Sequence, residues 1–281
     1  MGESFSFAAY NFRHLWTSPR PYIVLFAVYA GMELCFGGVR TYLADTGQTV
    51  QALEFFILAS ANRIPQWIFV FGILLLLGDA PFLQEGVEFY LMRSSRRDWL
   101  TGQVLYCLFV IFGYLVLVVG MFLVLFRGYL FFANEWSETF TLCCQLGSGS
   151  LLHIIMMIEF PLRLVKSGLP YAIFALSFLY SFLLLLLLSL LCMICNMKLR
   201  MGFGCLAVTI LLVWRVILEN VAGLKVLHYL SPCNLAVVSD RTINFPNICY
   251  TISFFVCTCG LLWVWSYSIV KKIDLQWKVS L

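Results

Sequence analysis

The chain alternates long apolar runs with short polar or charged stretches, and the runs approach membrane-spanning length. A hydrocarbon core about 30 Å thick is crossed by about 20 mostly apolar residues in a helix. Such runs lie at 22–39, 64–78, 100–125, 171–196, 201–218 and 252–270. The 64–78 run is short on its own, and a helix over 50–62 is the expected extension. The 171–196 run has an unbroken leucine stretch, 183–188, at its centre. No large polar insert separates the runs. The pattern predicts an all-α polytopic membrane protein of six transmembrane helices, forming one domain over 1–281.

The segment before the first run has a different texture. Phe5, Phe7, Tyr10, Phe12, Leu15 and Trp16 alternate with Asn11, Arg13 and His14. Aromatic and basic residues together suit the headgroup layer, so 1–20 is expected to be an N-terminal interfacial helix. A secretory leader would place its apolar stretch nearer the start, before a small-residue cleavage site. The first run is therefore expected to be a retained span.

Composition agrees with the pattern and narrows the function classes. The chain is 62% hydrophobic and 11% charged, with a mean hydropathy of +0.93. Soluble domains carry roughly 25% charged residues. A water-soluble fold cannot hide that much apolar surface, whereas a lipid bilayer needs no polar face. The net charge of +4 is small and gives no reason to expect nucleic acid. Its placement is more informative. Basic residues concentrate in segments that share one side: Arg13, Arg20, Arg93, Arg96, Arg97, Lys198, Arg200, Lys271, Lys272 and Lys278. The opposite loops hold Arg40, Arg127, Arg163, Lys166, Lys225 and Arg241 at lower density. The positive-inside rule then predicts a multi-pass protein of the cell membrane with both termini cytoplasmic. In the outer loop 126–170, the apolar stretch 151–162 is too short to cross and reads as a re-entrant or interfacial helix.

Catalytic signatures are sparse. The sequence contains no G-x-x-x-x-G-K-[ST] phosphate loop and no H-E-x-x-H zinc motif, so no catalytic or metal residue is expected. Cys192 and Cys195 have metal or redox spacing but lie in an apolar run without further ligands nearby, where thiols act as small hydrophobes. Whether Cys233 and Cys249, in one outer loop, pair is left open by their positions. Gly147, Ser148, Gly149 and Ser150 before His153 read as a turn. A nucleophile and its base need to meet across packed elements.

Charges in two places demand explanation. Glu33, Arg63 and Arg215 sit at or within apolar runs, where an ion costs several kcal/mol unless paired or hydrated. The arginines can snorkel to headgroups; Glu33 is too short to do so, and a pairing with Arg63 or Arg215 is expected. The second place is the inner loop 79–98. Asp79, Glu85 and Glu88 come first, and Arg93, Arg96 and Arg97 follow, an order that suits a short helix. Phe82, Leu83, Val87 and Phe89 add apolar contacts. The stretch reads either as a docking helix for a cytoplasmic partner or as a stop-transfer loop that sets topology.

The run Gly78-Asp-Ala-Pro-Phe82 and the run from Arg93 through Arg96, Trp99, Gly102 and Gln103 to Tyr106 resemble the membrane subunits of type-2 ATP-binding-cassette (ABC) exporters. The likeness is to the ATPase-less permeases of Gram-positive bacteria. The order of features is similar too: interfacial helix, six spans, a long third-to-fourth outer loop, and Ser231-Pro232 before the last span. The resemblance is specific over about 78–106 and extends in layout over nearly the whole chain. It implies a permease that forms the translocation pathway with a second chain, a homodimer or a related paralogue. A separate cytoplasmic ABC ATPase would carry ATP and Mg, with no cofactor in this chain. The loop 79–98 would be the coupling helix, with Phe82 and Phe89 as anchors, Glu85 and Glu88 as rim charges, and Arg93 and Arg96 beside them. The alternative from another class is a membrane-embedded enzyme or sensor with a polar site at the outer ends of spans 1, 2 and 5, built on Glu33, Arg63 and Arg215.

Overall fold

The structure, a computed structural model, describes residues 2–81, 95–146, 164–199, 202–221 and 227–272. The described residues are mostly helical. Helix α1 spans Gly2–Thr17, α2 Arg20–Thr46, α3 Glu54–Ala61, α4 Arg63–Leu77 and α5 Arg96–Leu125. Then come α6 (Glu138–Leu146), α7 (Leu164–Ser167), α8 (Pro170–Lys198), α9 (Phe203–Asn220), α10 (Pro232–Leu235), α11 (Asp240–Ile243) and α12 (Phe245–Lys272). Strands β1 (Val50–Gln51) and β2 (Leu130–Phe131) form a short parallel ladder.

Among the described residues, four helices are long and apolar enough to cross a membrane: Arg20–Thr46, Arg96–Leu125, Pro170–Lys198 and Pro246–Lys271. A fifth crossing is possible if α3 and α4 are counted as one bent span. The expected extension of 64–78 by a preceding helix takes an unexpected form. The two helices exist, but they meet at 89°, because Asn62 between them adopts an extended backbone with ψ 144°. Its side-chain amide turns back to cap the Leu58 carbonyl at 2.9 Å. Helix α9, over the fifth apolar run, contains the shorter apolar stretch Phe203–Leu218. The stretch 151–162 lies outside the described residues.

Helix α8 is the hub. Its apolar window is 61% buried, against 11% for that of α12, which marks α12 as a peripheral helix. Leu184, Leu185, Leu187, Leu188 and Leu190 are all buried, so the leucine stretch is core and not lipid-facing filler. In a bilayer, tails are as apolar as leucine, and helices associate through close packing. The α1–α5 contact follows that rule. A Cβ on Gly102 would meet Phe7 Cδ1 at 2.9 Å and the Ser4 carbonyl oxygen at 3.0 Å. Only glycine lets α1 approach α5 so closely. The face α1 turns inward is thus Ser4, Phe7, Ala8 and Asn11, all buried, while Phe5, Tyr10 and Trp16 are exposed.

At the end of the bundle bearing β1 and β2, aromatic rings join three helices. Phe55 stacks on Phe126 at 3.6 Å between centroids, and Phe36 meets Phe55 and Phe122 edge-on at 5.7 and 5.3 Å. Above them a polar cap is tied by Glu54. Its carboxylate accepts from Ser137 N–H at 2.7 Å, from Ser137 Oγ at 2.6 Å and from Gln51 N–H at 3.3 Å. Ser137 Oγ in turn accepts from Phe140 N–H at 3.1 Å and so caps α6, as serine does at helix starts.

Candidate functional site

The end of the bundle opposite that cap carries the loop between α4 and α5. Phe82, Glu85, Glu88, Phe89 and Arg93 fall in 82–94, outside the described residues. The two ends of the loop are described, and each is fastened to helices distant in sequence.

The entry follows α4. Asp79 forms an ion pair with Arg20 at 2.5 Å, at the start of α2. Both side chains are about half exposed, and such a pair contributes at most about 1 kcal/mol in water. The stronger fastening is buried. Asn196, 1% exposed near the end of α8, donates from Nδ2 to the carbonyl oxygens of Gly78 at 2.7 Å and Ala80 at 2.9 Å. Its Oδ1 accepts from Gly204 N–H at 2.9 Å, in the first turn of α9. Cys192 Sγ, one turn earlier on α8, donates to Gly78 O at 3.5 Å. One carboxamide therefore joins the residues just past α4, the last turn of α8 and the first turn of α9. It satisfies backbone groups that helix ends leave unpaired.

The exit opens α5. Ser95 caps it, with Oγ accepting from Asp98 N–H at 3.2 Å and donating to Asp98 Oδ2 at 2.6 Å. Ser4 Oγ on α1 donates to Asp98 Oδ1 at 3.2 Å. Arg96 reaches the last turn of α12, donating to Lys271 O at 2.8 Å and Val270 O at 3.3 Å. A cation there also suits the negative end of the helix dipole. Arg97 donates to Tyr267 Oη at 2.5 Å and lies 4.9 Å from that ring's centroid. Trp99 and Leu100 are buried behind these contacts.

The intramembrane charges distribute differently from the sequence expectation. Glu33 pairs with Arg40, two turns along the same helix, and not with Arg63 or Arg215. Seven residues return to nearly the same helix face, which the apolar-run reading overlooked because Arg40 falls just past the run's end. Arg215 is buried on α9, and its guanidinium donates to the side-chain amide oxygen Oε1 of Gln66 on α4. Arg63 opens α4. Glu33 is thus paired within α2, and Arg215 joins α9 to α4. Cys233 is buried, Cys249 is exposed, and no disulfide joins them.

The Glu33–Arg40 pair gives a measurable expectation. In a double-mutant cycle on thermal unfolding in detergent, Glu33→Gln and Arg40→Gln should be non-additive by about 0.5–1 kcal/mol, as directly bonded, partly exposed charges are. The Glu33–Arg215 cycle should be additive. The reverse result would mean that the carboxylate has exchanged partners.

Sequence reasoning passed over Asn196 and Glu54. Each had a signal: a polar side chain inside an otherwise apolar stretch. No family model, curated protein or solved structure matches the chain.

Proposed function

We propose that the chain is the membrane-spanning permease subunit of an ABC-type exporter, driven by a separate cytoplasmic ATPase. In this reading the chain crosses the cell membrane six times with both termini cytoplasmic. Helix α9 and the bent α3–α4 pair supply the crossings beyond the four long helices, and α1 lies along the inner surface. Two chains, identical or related, form the pathway. ATP and Mg stay on the ATPase, and this chain performs no covalent chemistry.

The observation that carries the reading is the fastening of the α4–α5 loop. Its entry is bonded to α2 and α8, with α9 joined through Asn196, and its exit is bonded to α1 and α12. A segment that merely set topology would need no such bonds. A segment that receives a push from a cytoplasmic partner needs them, because the push must reach helices on both sides of the bundle. In this scheme, closure of the ATPases upon ATP displaces 82–94, and the fastened helix ends tilt with it. The enzyme or sensor alternative needs Glu33, Arg63 and Arg215 to converge, whereas Glu33 pairs with Arg40 and Arg215 bonds Gln66.

The test is purification of the full chain together with the products of its neighbouring genes. An ATPase should co-elute, and Glu85→Lys should weaken that assembly in a salt-dependent way, as a rim charge does. A stable chain that elutes without any ATPase would overturn the proposal.

A further inference from the structure

We infer that Asn196 is the positioning residue that passes displacement of the α4–α5 loop into the α8–α9 hairpin. This rests on the exporter reading above and names the route inside the chain.

Three observations converge on it. First, the same carboxamide bonds to both sides: two donors go to the loop entry at Gly78 and Ala80, and one acceptor receives Gly204 N–H from α9. A cap that served α4 alone would need only the donors. Second, the junction is closed around this group. Asn196 is 1% exposed and Ala80 is 1% exposed. A Cβ on Gly204 would come within 2.5 Å of Cys192 Sγ and 2.8 Å of Asn196 Oδ1, so α9 starts against the α8 backbone with no room to slip. Third, the other end of the loop reaches different helices. Ser4, Val270, Lys271 and Tyr267 bind Asp98, Arg96 and Arg97, on α1 and α12.

The loop therefore has two separate outlets. Displacement at its entry moves the α8–α9 turn through Asn196. Displacement at its exit moves α1 and α12 through Arg96, Arg97 and Asp98. Packing alone transmits compression, but a pull on the entry is transmitted only by bonds, and the Asn196 bonds span the junction. The direction of that pull is set by the ATPase.

The experiment uses the full chain in complex with its co-eluting ATPase, in lipid nanodiscs. Hydrogen exchange is followed over 190–206 and over 95–104, without nucleotide and after trapping with MgATP and vanadate. In the unmodified complex both segments should change upon trapping. Asn196→Leu should still assemble and hydrolyse ATP, keep the change over 95–104, and lose the change over 190–206. Asn196→Asp is the second variant. It is the same size and keeps an acceptor for Gly204 N–H but has no amide donors for Gly78 and Ala80, so it should lose the same response. A change over 190–206 that persists in both variants overturns the inference and leaves the exporter reading standing. An unmodified chain with no ATPase, or with no response anywhere, overturns both. A merely structural role would lower assembly and both responses together, which also counts against the inference.

Discussion

Gly204→Ala should leave almost no folded protein in the membrane. The substitution adds one methyl group, yet that methyl overlaps the Cys192 carbonyl oxygen and comes within 2.5 Å of its sulfur. Backbone cannot rotate away as a flexible side chain can. Either α9 or α8 must shift, and the shift breaks the Gly204 N–H bond to Asn196 and with it the seat of Gly78 and Ala80. Overpacking alone costs about 1–3 kcal/mol, and orphaning buried backbone groups adds about 1–3 kcal/mol for each. Against a total stability of about 5–15 kcal/mol, that is enough to remove most of the folded population. Detergent-extracted yield and the size-exclusion profile are the measurements. Alanine at Gly113, where a Cβ meets nothing within 4 Å, is the control and should behave as the unmodified chain. Normal yield of the position-204 variant would mean that α8 and α9 do not approach as described.

Glu54→Leu should cost about 4 kcal/mol, while Glu54→Gln should cost about 2 kcal/mol, two orphaned N–H groups against one. Glu54 is 1% exposed, and its carboxylate accepts three hydrogen bonds from Ser137 and Gln51. Leucine fills the space but leaves the Ser137 and Gln51 N–H groups without an acceptor, at about 1–3 kcal/mol each. Glutamine keeps an acceptor oxygen for the Ser137 N–H, and the Ser137 hydroxyl can turn to accept from its amide, so only the Gln51 N–H loses its acceptor. The readout is thermal unfolding, with hydrogen exchange at Phe140 as a local report, since its N–H bonds to Ser137 Oγ. Equal losses for the two variants would contradict this account of the cap.

Much of this architecture is legible in the sequence, and the rest is not, for physical reasons. Apolar runs of spanning length and scarce charge report the solvent around a helix, so α2, α5, α8 and α12 follow from pattern alone. The right angle between α3 and α4 does not. It depends on one residue, Asn62, leaving the helical region, and Asn is tolerated in either conformation. The Arg20–Asp79 and Asn196–Gly78 contacts join residues far apart in sequence, and no periodicity encodes a long-range hydrogen bond. What sequence can give is the suspicion: Asn196 and Glu54 are polar groups in apolar settings, and such groups require partners. Glu33 shows the same limit from the other side. The need for a partner was legible, but its identity was not, because Arg40, Arg63 and Arg215 all fit the charge requirement. Arg96 was read from a resemblance as part of a coupling loop. The structure gives it a concrete task, capping the carbonyls at the end of α12.

The central claim is that a cytoplasmic ATPase seats on the segment between Asp79 and Asp98. Interface energy concentrates in a few buried anchors, and Phe89 is the residue assigned that role. The most direct measurement replaces Phe89 with a photocrosslinking amino acid in the full chain, purified with the products of its neighbouring genes. Irradiation should give one covalent adduct between this chain and an ABC ATPase, identified by mass, and the same residue placed at Leu206, exposed on α9, should give none. A folded chain that co-purifies with the ATPase but crosslinks to it from Leu206 and not from position 89 would contradict the account, and so would a folded chain that crosslinks only to lipid.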